Sequence, residues 1–230
     1  MAVTDAAILR IKEMIRDGEL SPGDRLPPEK ELSERLGLSR SSLREAVKAL
    51  EVMRVLDVRR GDGTFVTSLE PRLLLEAVSF MVDLHDDDSV LELFEVRRML
   101  EPAAAAIAAT RADDSLVAEL RTLVSAVDHS HPIEQLVEHD LAFHHAIVGA
   151  AGNGYLSTLV DSIAAHTIRA RVWRGLTEHH AADRTLAEHS AIVDAIEARD
   201  QRLAEALMVA HIAGVERWLR EWSSGTPITD

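Results

Sequence analysis

The sequence predicts a mostly α-helical protein with two domains, an N-terminal winged helix-turn-helix and a C-terminal all-helical bundle. Three observations predict this fold class. Two short amphipathic segments flank a glycine at position 37, a glycine-rich hairpin pattern follows them directly, and only helical periodicity is seen from Glu70 onward. We place the domain boundary between residues 69 and 70, so that the domains span residues 1–69 and 70–230.

The first domain begins with a predicted helix over residues 4–17, on which isoleucines recur on one side. A turn rich in proline and glycine follows at residues 21–24. Pro28 suits the first position of the next helix, and Gly37 suits its C-terminal cap. Ser39 is a good N-cap for the helix after that.

A β-hairpin is predicted directly after these helices. Apolar residues at 55, 56 and 58 precede the Gly61–Asp62–Gly63 turn, and residues 64–66 follow it. A hairpin at this place in the chain is typical of the wing of a winged helix.

The C-terminal part shows only helical periods. Pro102 should kink or interrupt the second of its helices, because proline cannot donate the backbone hydrogen bond. The predicted helices span residues 70–84, 89–110, 113–127, 132–150, 154–174, 183–199 and 201–222.

Composition excludes several classes of protein. The chain of 230 residues has no cysteine, which excludes disulfides and thiolate chemistry. No apolar run approaches the roughly 20 residues that a membrane span needs, and residues 1–19 lack the apolar core of a signal peptide. We therefore expect a cytoplasmic protein that makes no membrane contact.

Charge is divided unevenly along the chain, whose net charge is −14. Residues 1–70 hold 12 Lys/Arg and 13 Asp/Glu, whereas residues 71–230 hold 13 Lys/Arg and 26 Asp/Glu. A nearly neutral small domain can still present a basic face to phosphates. The acidic total therefore does not argue against DNA binding.

The predicted recognition helix carries polar side chains away from its apolar stripe. Arg40 and Arg44 share a face and suit guanine edges or phosphates, while the serines at its start can reach phosphates. Arg59 and Arg60 lie at the wing tip, and Lys30 lies near the start of the preceding helix. The alternative is that these are ordinary solvated charges on a small helical domain.

A family resemblance favours DNA binding. LPPEKELSERLGLSRSSLREAVKALE followed by RRGDGTFV closely resembles the DNA-binding domain of the GntR family, over roughly residues 6–67. The resemblance implies binding as a homodimer to a short palindrome in double-stranded DNA. It also implies DNA-contacting roles for Lys30, Ser39, Arg40, Ser41, Arg44, Arg60 and Gly61.

Three C-terminal helices each direct a histidine toward the core. His144 lies four residues after Asp140, on the apolar face of its helix, and His189 and His211 each lie on the apolar stripe of a later helix. Buried polar groups need partners. These four residues could share a metal ion, or each histidine could be hydrogen-bonded separately within the core.

DLAFHHAI, AEHSAIVDAI and the histidine of the last helix resemble the metal-ligand segments of the FCD domain, the helical sensor of the FadR subfamily of GntR regulators. FEVRRMLEPAAAAIAA resembles the early helix of that domain, and the resemblance covers roughly residues 73–222. It implies that one divalent transition-metal ion, Zn²⁺ with Ni²⁺ or Mn²⁺ as alternatives, binds Asp140, His144, His189 and His211.

The same resemblance implies an effector pocket beside the metal. Arg97 matches the arginine that holds the effector's carboxylate, although an ion pair with Glu101 is the alternative. His166 lies near the inner side of its helix and is expected to line the same pocket. Arg171 is a weaker candidate, and Asn153 suits an N-cap better than a ligand contact.

The resulting hypothesis is a regulator, most simply a repressor, that responds to a small organic acid or sugar acid. Members of the subfamily without the metal set bind fatty acyl-CoA, so the full set favours a small polar acid. The alternatives are a metal-responsive regulator and a metal-dependent hydrolase. The absence of an HExxH motif and of a positioned base argues against the enzyme.

Overall fold

The structure, a computed structural model, describes residues 3–71, 73, 89–178 and 180–223. The chain folds as two compact units, Met1–Leu74 and Leu75–Asp230. The boundary predicted at residues 69 and 70 remains a prediction.

The first unit contains three helices and a two-stranded antiparallel sheet, which confirms the predicted winged helix-turn-helix. Aliphatic side chains from all three helices and from the sheet form its core, with Ile11, Leu32, Leu43 and Leu56 almost fully buried. The elements are α1 (Val3–Arg16), α2 (Glu29–Leu36), α3 (Arg40–Val52), β1 (Leu56–Arg59) and β2 (Gly63–Val66).

The turn between α2 and α3 follows from two capping residues. Gly37 ends α2 in the left-handed conformation, at φ +66°, where a side chain would be strained. The Ser39 hydroxyl accepts a hydrogen bond from the Ser42 amide at 3.1 Å and so caps α3. Both predicted caps are confirmed, whereas Pro28 lies at the N-cap of α2, one residue before the predicted position.

The hairpin pairs Leu56 with Val66 and Arg59 with Gly63. Gly61 turns the chain at φ +80°. The stretch at residues 21–24, predicted only as a turn, also joins the wing, because the Gly23 amide donates to the Val66 carbonyl at 2.9 Å.

The second unit is entirely helical within the described residues, and this confirms the predicted all-helical architecture. Most of the helix predicted over residues 70–84 lies outside the described residues, which include only residues 70, 71 and 73 of this range. The helices are α4 (Ser89–Arg111), α5 (Asp114–Ser125), α6 (Ile133–Ala150), α7 (Gly154–His166), α8 (Ile168–Thr177), α9 (Ala181–Glu197) and α10 (Gln201–Ser223).

One prediction for this unit is wrong. The single helix predicted over residues 154–174 is two helices, separated at Thr167, whose buried hydroxyl donates to the Ala164 carbonyl at 2.9 Å. Pro102 does not interrupt its helix, since α4 continues through this buried proline, and the kink expected there stays a prediction.

Four helices of the second unit, α4, α6, α9 and α10, pack around one shared core. α4 packs along α10 and against α6, and α9 packs against α10. Phe94, Phe143, Ile192, Ile196 and Met208 fill the space between them and are fully buried. Within the described residues, no helix combines the length and the apolarity that crossing a membrane requires.

Candidate functional site

A group of four buried polar residues lies between α6, α9 and α10. One ligand atom from each of Asp140, His144, His189 and His211 lies within 4.8 Å of the other three. All four residues are at most 9% exposed. The helices therefore bring together the four side chains that the sequence predicts, in a cluster that can hold a metal ion.

Asp140 Oδ1 is the common point of the cluster. It lies 3.4 Å from His189 Nε2, 3.7 Å from His144 Nε2 and 4.0 Å from His211 Nε2. Ligands about 2.1 Å from a tetrahedral ion are separated by roughly 3.4 Å. The observed separations are therefore close to those of a metal-ligand set.

Two of the histidines have a glutamate behind them. His144 Nδ1 lies 2.5 Å from Glu101 Oε2, a close contact that is not aligned as a hydrogen bond, and His211 Nδ1 lies 2.7 Å from Glu188 Oε2 in a hydrogen bond. A carboxylate at Nδ1 favours the proton on that nitrogen and leaves a lone pair on Nε2. This tautomer is the one that a metal ligand requires.

The two Nε2 atoms of His144 and His211 face each other at 3.2 Å. If both rings are neutral with their protons on Nδ1, the two Nε2 lone pairs repel each other at this distance unless a cation lies near both. The tautomers favoured by Glu101 and Glu188 therefore suit a bound cation, whereas a second proton on His144 would instead make this contact a hydrogen bond.

His189 is the most isolated member of the cluster. Its side chain is fully buried, and the ring stacks on Phe143 with centroids 3.9 Å apart. Neither ring nitrogen makes a well-aligned hydrogen bond to another described residue. Burial lowers the pKa of His189 to about 3, so its ring is neutral and available as a ligand.

The pKa values of the neighbouring histidines differ because their surroundings differ. Burial lowers the pKa of His211. Burial has the same effect on His144, but the carboxylates of Glu101 and Asp140 outweigh it and raise the pKa of His144 overall. The two carboxylates therefore favour a positive charge at His144. A bound cation could provide this charge in place of a proton.

Arg171 of α8 binds the second carboxylate oxygen of Asp140. Its Nη1 donates to Asp140 Oδ2 at 2.5 Å, while Nη2 is buried without a hydrogen-bond partner among the described residues. Burial opposes ionisation of Asp140, but Arg171 and His144 hold the pKa of that carboxyl well below its usual range. Burial and the charge of Arg97 lower the pKa of Arg171 to about 10.

Arg97 of α4 forms a buried ion pair with Glu101. Its Nε donates to Oε1 at 2.5 Å and its Nη2 donates to Oε2 at 3.3 Å. Burial disfavours the Glu101 carboxylate, but Arg97 and His144 outweigh burial, so the pKa of Glu101 is well below its usual range. The ion pair offered as an alternative is present, and Arg97 also lines the cavity described next.

A cavity of about 70 Å³ adjoins the cluster. Cations and the metal-ligand candidates occupy one part of its wall, and aliphatic side chains occupy the rest. The lining residues are Arg97, Ile133, Leu136, Val137, His139, Asp140, His144, Arg171, Arg174, Gly175, Ala181, Ala182, Thr185, Leu186, His211, Ile212 and Val215. This composition suits a small anion with an apolar or hydroxylated body.

Two residues lie in places that differ from the sequence-based expectation. His166 is half-buried at the end of α7 and is not among the residues that line the cavity. Geometry thus gives its effector role no support. Arg171, the weaker candidate, lies directly at the site. Sequence reasoning misses Glu188, although its place beside His189 is a usable signal.

Three further polar residues lie outside the four-residue cluster, and one of them, Asn153, takes its predicted N-cap position. His145 is exposed and contacts Asp161 at 3.0 Å, away from the cluster. Asn153 caps α7 by accepting from the Tyr155 and Leu156 amides. His139 is buried and lines the cavity, although it is not one of the four clustered residues.

The residues predicted to contact DNA are exposed on the first unit. Arg44 projects from α3, and its Nε donates to Glu29 Oε2 at 2.7 Å. The Ser39 and Ser41 hydroxyls lie 2.9 Å apart at the start of the same helix. The exposed set is Lys30, Ser39, Arg40, Ser41, Arg44, Arg60 and Gly61.

Comparison with known families identifies both units. The model of the gntR family of bacterial regulatory proteins matches residues 4–66, and the FCD domain model matches residues 92–214. The first match covers the winged helix-turn-helix, and the second covers the helices that carry the buried cluster.

Individual relatives match nearly the whole chain. The HTH-type transcriptional regulator LutR of Bacillus subtilis is 34% identical, over 88% of this chain and 94% of its own. The galactonate operon transcriptional repressor of Escherichia coli is 30% identical, over 95% and 97%. The solved structure of Streptococcus agalactiae GntR is 28% identical with a TM-score of 0.72, covering 94% of this chain and all of that one. The chain is therefore a DNA-binding transcriptional regulator of the gntR family, in the FadR-like subfamily with a C-terminal FCD domain.

Proposed function

We propose that this protein is a transcriptional repressor whose affinity for its operator is controlled by a small carboxylate or sugar acid bound beside a metal ion. The observation that carries the proposal is Arg171. Its buried guanidinium lines the cavity, pairs with Asp140 and keeps Nη2 without a partner among the described residues. An anion in the cavity would satisfy this donor.

The ion is a divalent transition metal, with Zn²⁺ favoured and Ni²⁺ or Mn²⁺ as alternatives. Asp140, His144, His189 and His211 would hold it, one ion per chain. Three imidazoles and one carboxylate suit this class of ion. The facing Nε2 atoms of His144 and His211 and the unpartnered nitrogens of His189 support the assignment. When bound, the ion supplies a positive centre that attracts the effector's carboxylate.

The protein residues select the acid. Arg171 lines the cavity, and its unpartnered Nη2 is available to donate a charge-assisted hydrogen bond to a carboxylate oxygen. Arg97 lines the same cavity, but Glu101 already binds two of its nitrogens. We therefore assign effector recognition to Arg171 first and to Arg97 second. The E. coli relative is named for galactonate, a sugar acid, which agrees with this ligand class.

The regulator acts in the cytoplasm as a homodimer that places two recognition helices on a short palindromic operator. Arg40 and Arg44 read base edges, while Lys30, Ser39, Ser41 and the Arg60–Gly61 wing tip contact the backbone or the groove beside it. Effector binding changes operator affinity. By thermodynamic linkage, the operator changes effector affinity by the same factor.

Fluorescence anisotropy tests the proposal. A labelled operator, selected from a random pool with the purified protein, is titrated at fixed salt with protein loaded with Zn²⁺. The titration is repeated with a panel of small organic and sugar acids. We expect at least one acid to weaken binding by fivefold or more, and to have no effect on the Arg171→Lys variant. Operator affinity that follows metal occupancy alone would favour the metal-responsive alternative and contradict the proposal.

A further inference from the structure

His139 precedes the cluster residue Asp140 on α6 and has no role in the proposed function. Its side chain is 7% exposed, and its Nε2 is buried without a hydrogen-bond partner among the described residues. In the neutral tautomer that carries its proton on Nδ1, His139 Nε2 is a buried acceptor without a donor.

A buried donor without an acceptor lies next to it. His189 Nε2 faces Asp140 Oδ1 at 3.4 Å, and His189 Nδ1 has no partner among the described residues. A ring whose Nε2 acts as a metal ligand carries its proton on Nδ1. This proton therefore needs an acceptor within the core.

The two rings are close enough to satisfy each other. The centroids of His139 and His189 are 5.6 Å apart, with the ring planes tilted by 36°. Ring nitrogens lie on the rims of the imidazoles, so two nitrogens on facing edges at this centroid separation would lie close to hydrogen-bond distance. Two adjacent, complementary, buried groups left unpaired each cost free energy that pairing recovers.

We propose that His139 is the positioning residue of His189, accepting the proton on His189 Nδ1 at its own Nε2. The inference rests on the proposed metal site. It completes a pattern in which each histidine of the cluster has an acceptor behind it. Glu101 lies beside Nδ1 of His144, Glu188 lies beside Nδ1 of His211, and the ring of His139 lies beside His189.

This arrangement has a chemical consequence. A neutral imidazole acceptor polarises its partner less than a carboxylate does, so His189 is the least basic of the three ligands. The stacking of His189 on Phe143 restrains the ring plane, and His139 sets which nitrogen carries the proton. Loss of His139 should therefore weaken metal binding without removing any of the four ligands.

Metal competition with matched variants tests the inference. His139→Phe keeps an aromatic ring but removes the acceptor, whereas His139→Gln supplies a carbonyl oxygen in its place. His145→Phe, beside ligand candidate His144 but exposed, is the control. Each full-length protein is titrated with Zn²⁺ against a chromophoric chelator. We expect the Zn²⁺ affinity of His139→Phe to be about 10- to 100-fold lower than that of the wild type. His139→Gln should bind Zn²⁺ about tenfold or more tightly than His139→Phe, and the His145→Phe control should stay within twofold of the wild type.

Nitrogen NMR of the wild-type protein, with ¹⁵N-labelled histidine, provides a second test that does not depend on the folding of a variant. In the Zn²⁺-loaded protein we expect a slowly exchanging His189 Nδ1 proton with a coupling to His139 Nε2 across the hydrogen bond. A proton on His139 Nε2 instead, or equal Zn²⁺ affinity in His139→Phe, overturns the inference while leaving the metal site in place. Failure of the wild-type protein to bind any transition metal overturns the proposed function together with it.

Discussion

His144 Nε2 lies 3.2 Å from His211 Nε2, and the Nδ1 atom of each ring faces a glutamate. This relationship joins α6 to α10 through two imidazoles whose Nε2 atoms face each other. Glu101 from α4 and Glu188 from α9 hold the tautomers, so four helices contribute to one contact. A cation at this position would stabilise the packing of all four helices.

Metal content is the first prediction. The purified protein should carry about one transition-metal ion per chain, and His144→Ala or His211→Ala should reduce this severalfold, because each removes one ligand and exposes the partner's lone pair. Mass spectrometry of the native and acid-digested protein measures the ion. His131→Ala, at a half-exposed position outside the cluster, serves as the control. Equal metal content in all three variants would refute the assignment of the ligands.

Glu101 should matter strongly for stability. It is fully buried and is shared by Arg97 and His144, so Glu101→Ala leaves a buried guanidinium without its partner. We expect a loss of about 3–5 kcal/mol in the free energy of unfolding, measured by urea denaturation. Glu95→Ala, on the same helix but in an exposed pair with Arg220, should change stability little. Similar losses in the two variants would show that burial of the pair does not set the cost.

Arg171 should determine the response to acids. Arg171→Lys keeps a positive charge near Asp140 but removes the second, unpartnered donor nitrogen of a residue that lines the cavity. We expect the affinity for the effector acid to fall about tenfold or more, because a hydrogen bond to a charged group is lost, while metal content stays near one ion per chain. Calorimetric titration with the acid measures both the affinity and the stoichiometry.

Arg202→Lys, at an exposed position on α10, is the matched control for this substitution. An acid affinity that is unchanged in Arg171→Lys would move effector recognition to Arg97 or Arg174. It would also remove the observation on which the proposed function depends.

Substitutions on α3 and α2 should distinguish a residue that contacts bases from one that contacts phosphates. Arg44→Ala should weaken operator binding about tenfold and relax the sequence preference at one position, because a base contact carries sequence information. Lys30→Ala should weaken binding to all sequences alike and reduce the salt dependence by about one unit of slope. Anisotropy titrations with matched and mismatched duplexes at several salt concentrations distinguish the two effects.

Arg10→Ala supplies the control, since Arg10 is equally exposed on α1 but lies outside the predicted recognition helix. If Arg10→Ala weakens the operator complex as much as Arg44→Ala does, the effect is one of general charge, and the assignment of base reading to α3 is wrong.

Local chemistry makes much of this protein predictable. The Gly37 and Ser39 caps define the helix-turn-helix because each acts on the residues next to it. The histidine cluster is predictable because 3.6-residue periodicity places His144, His189 and His211 on apolar stripes, and buried polar groups require partners.

The rest depends on interactions between segments that are distant along the chain. Arg171 and Asp140 are 31 residues apart, and no periodicity specifies their pairing. The break at Thr167 carries neither glycine nor proline, so local signals favour one continuous helix there. Conversely, Pro102 signals a break that the packing of α4 along α10 overrides.

The most direct test is thermal unfolding with a panel of small organic acids, before and after chelator treatment. It shows whether the metal helps to bind an acid or has a structural or signalling role of its own. A ligand that binds only the folded state raises Tm by mass action. We expect at least one acid to raise Tm of the metal-loaded protein, and the chelated protein to respond to that acid no longer. If no acid shifts Tm while chelation alone destabilises the protein and weakens operator binding, the metal is structural or is itself the signal, and the acid-sensing mechanism is contradicted.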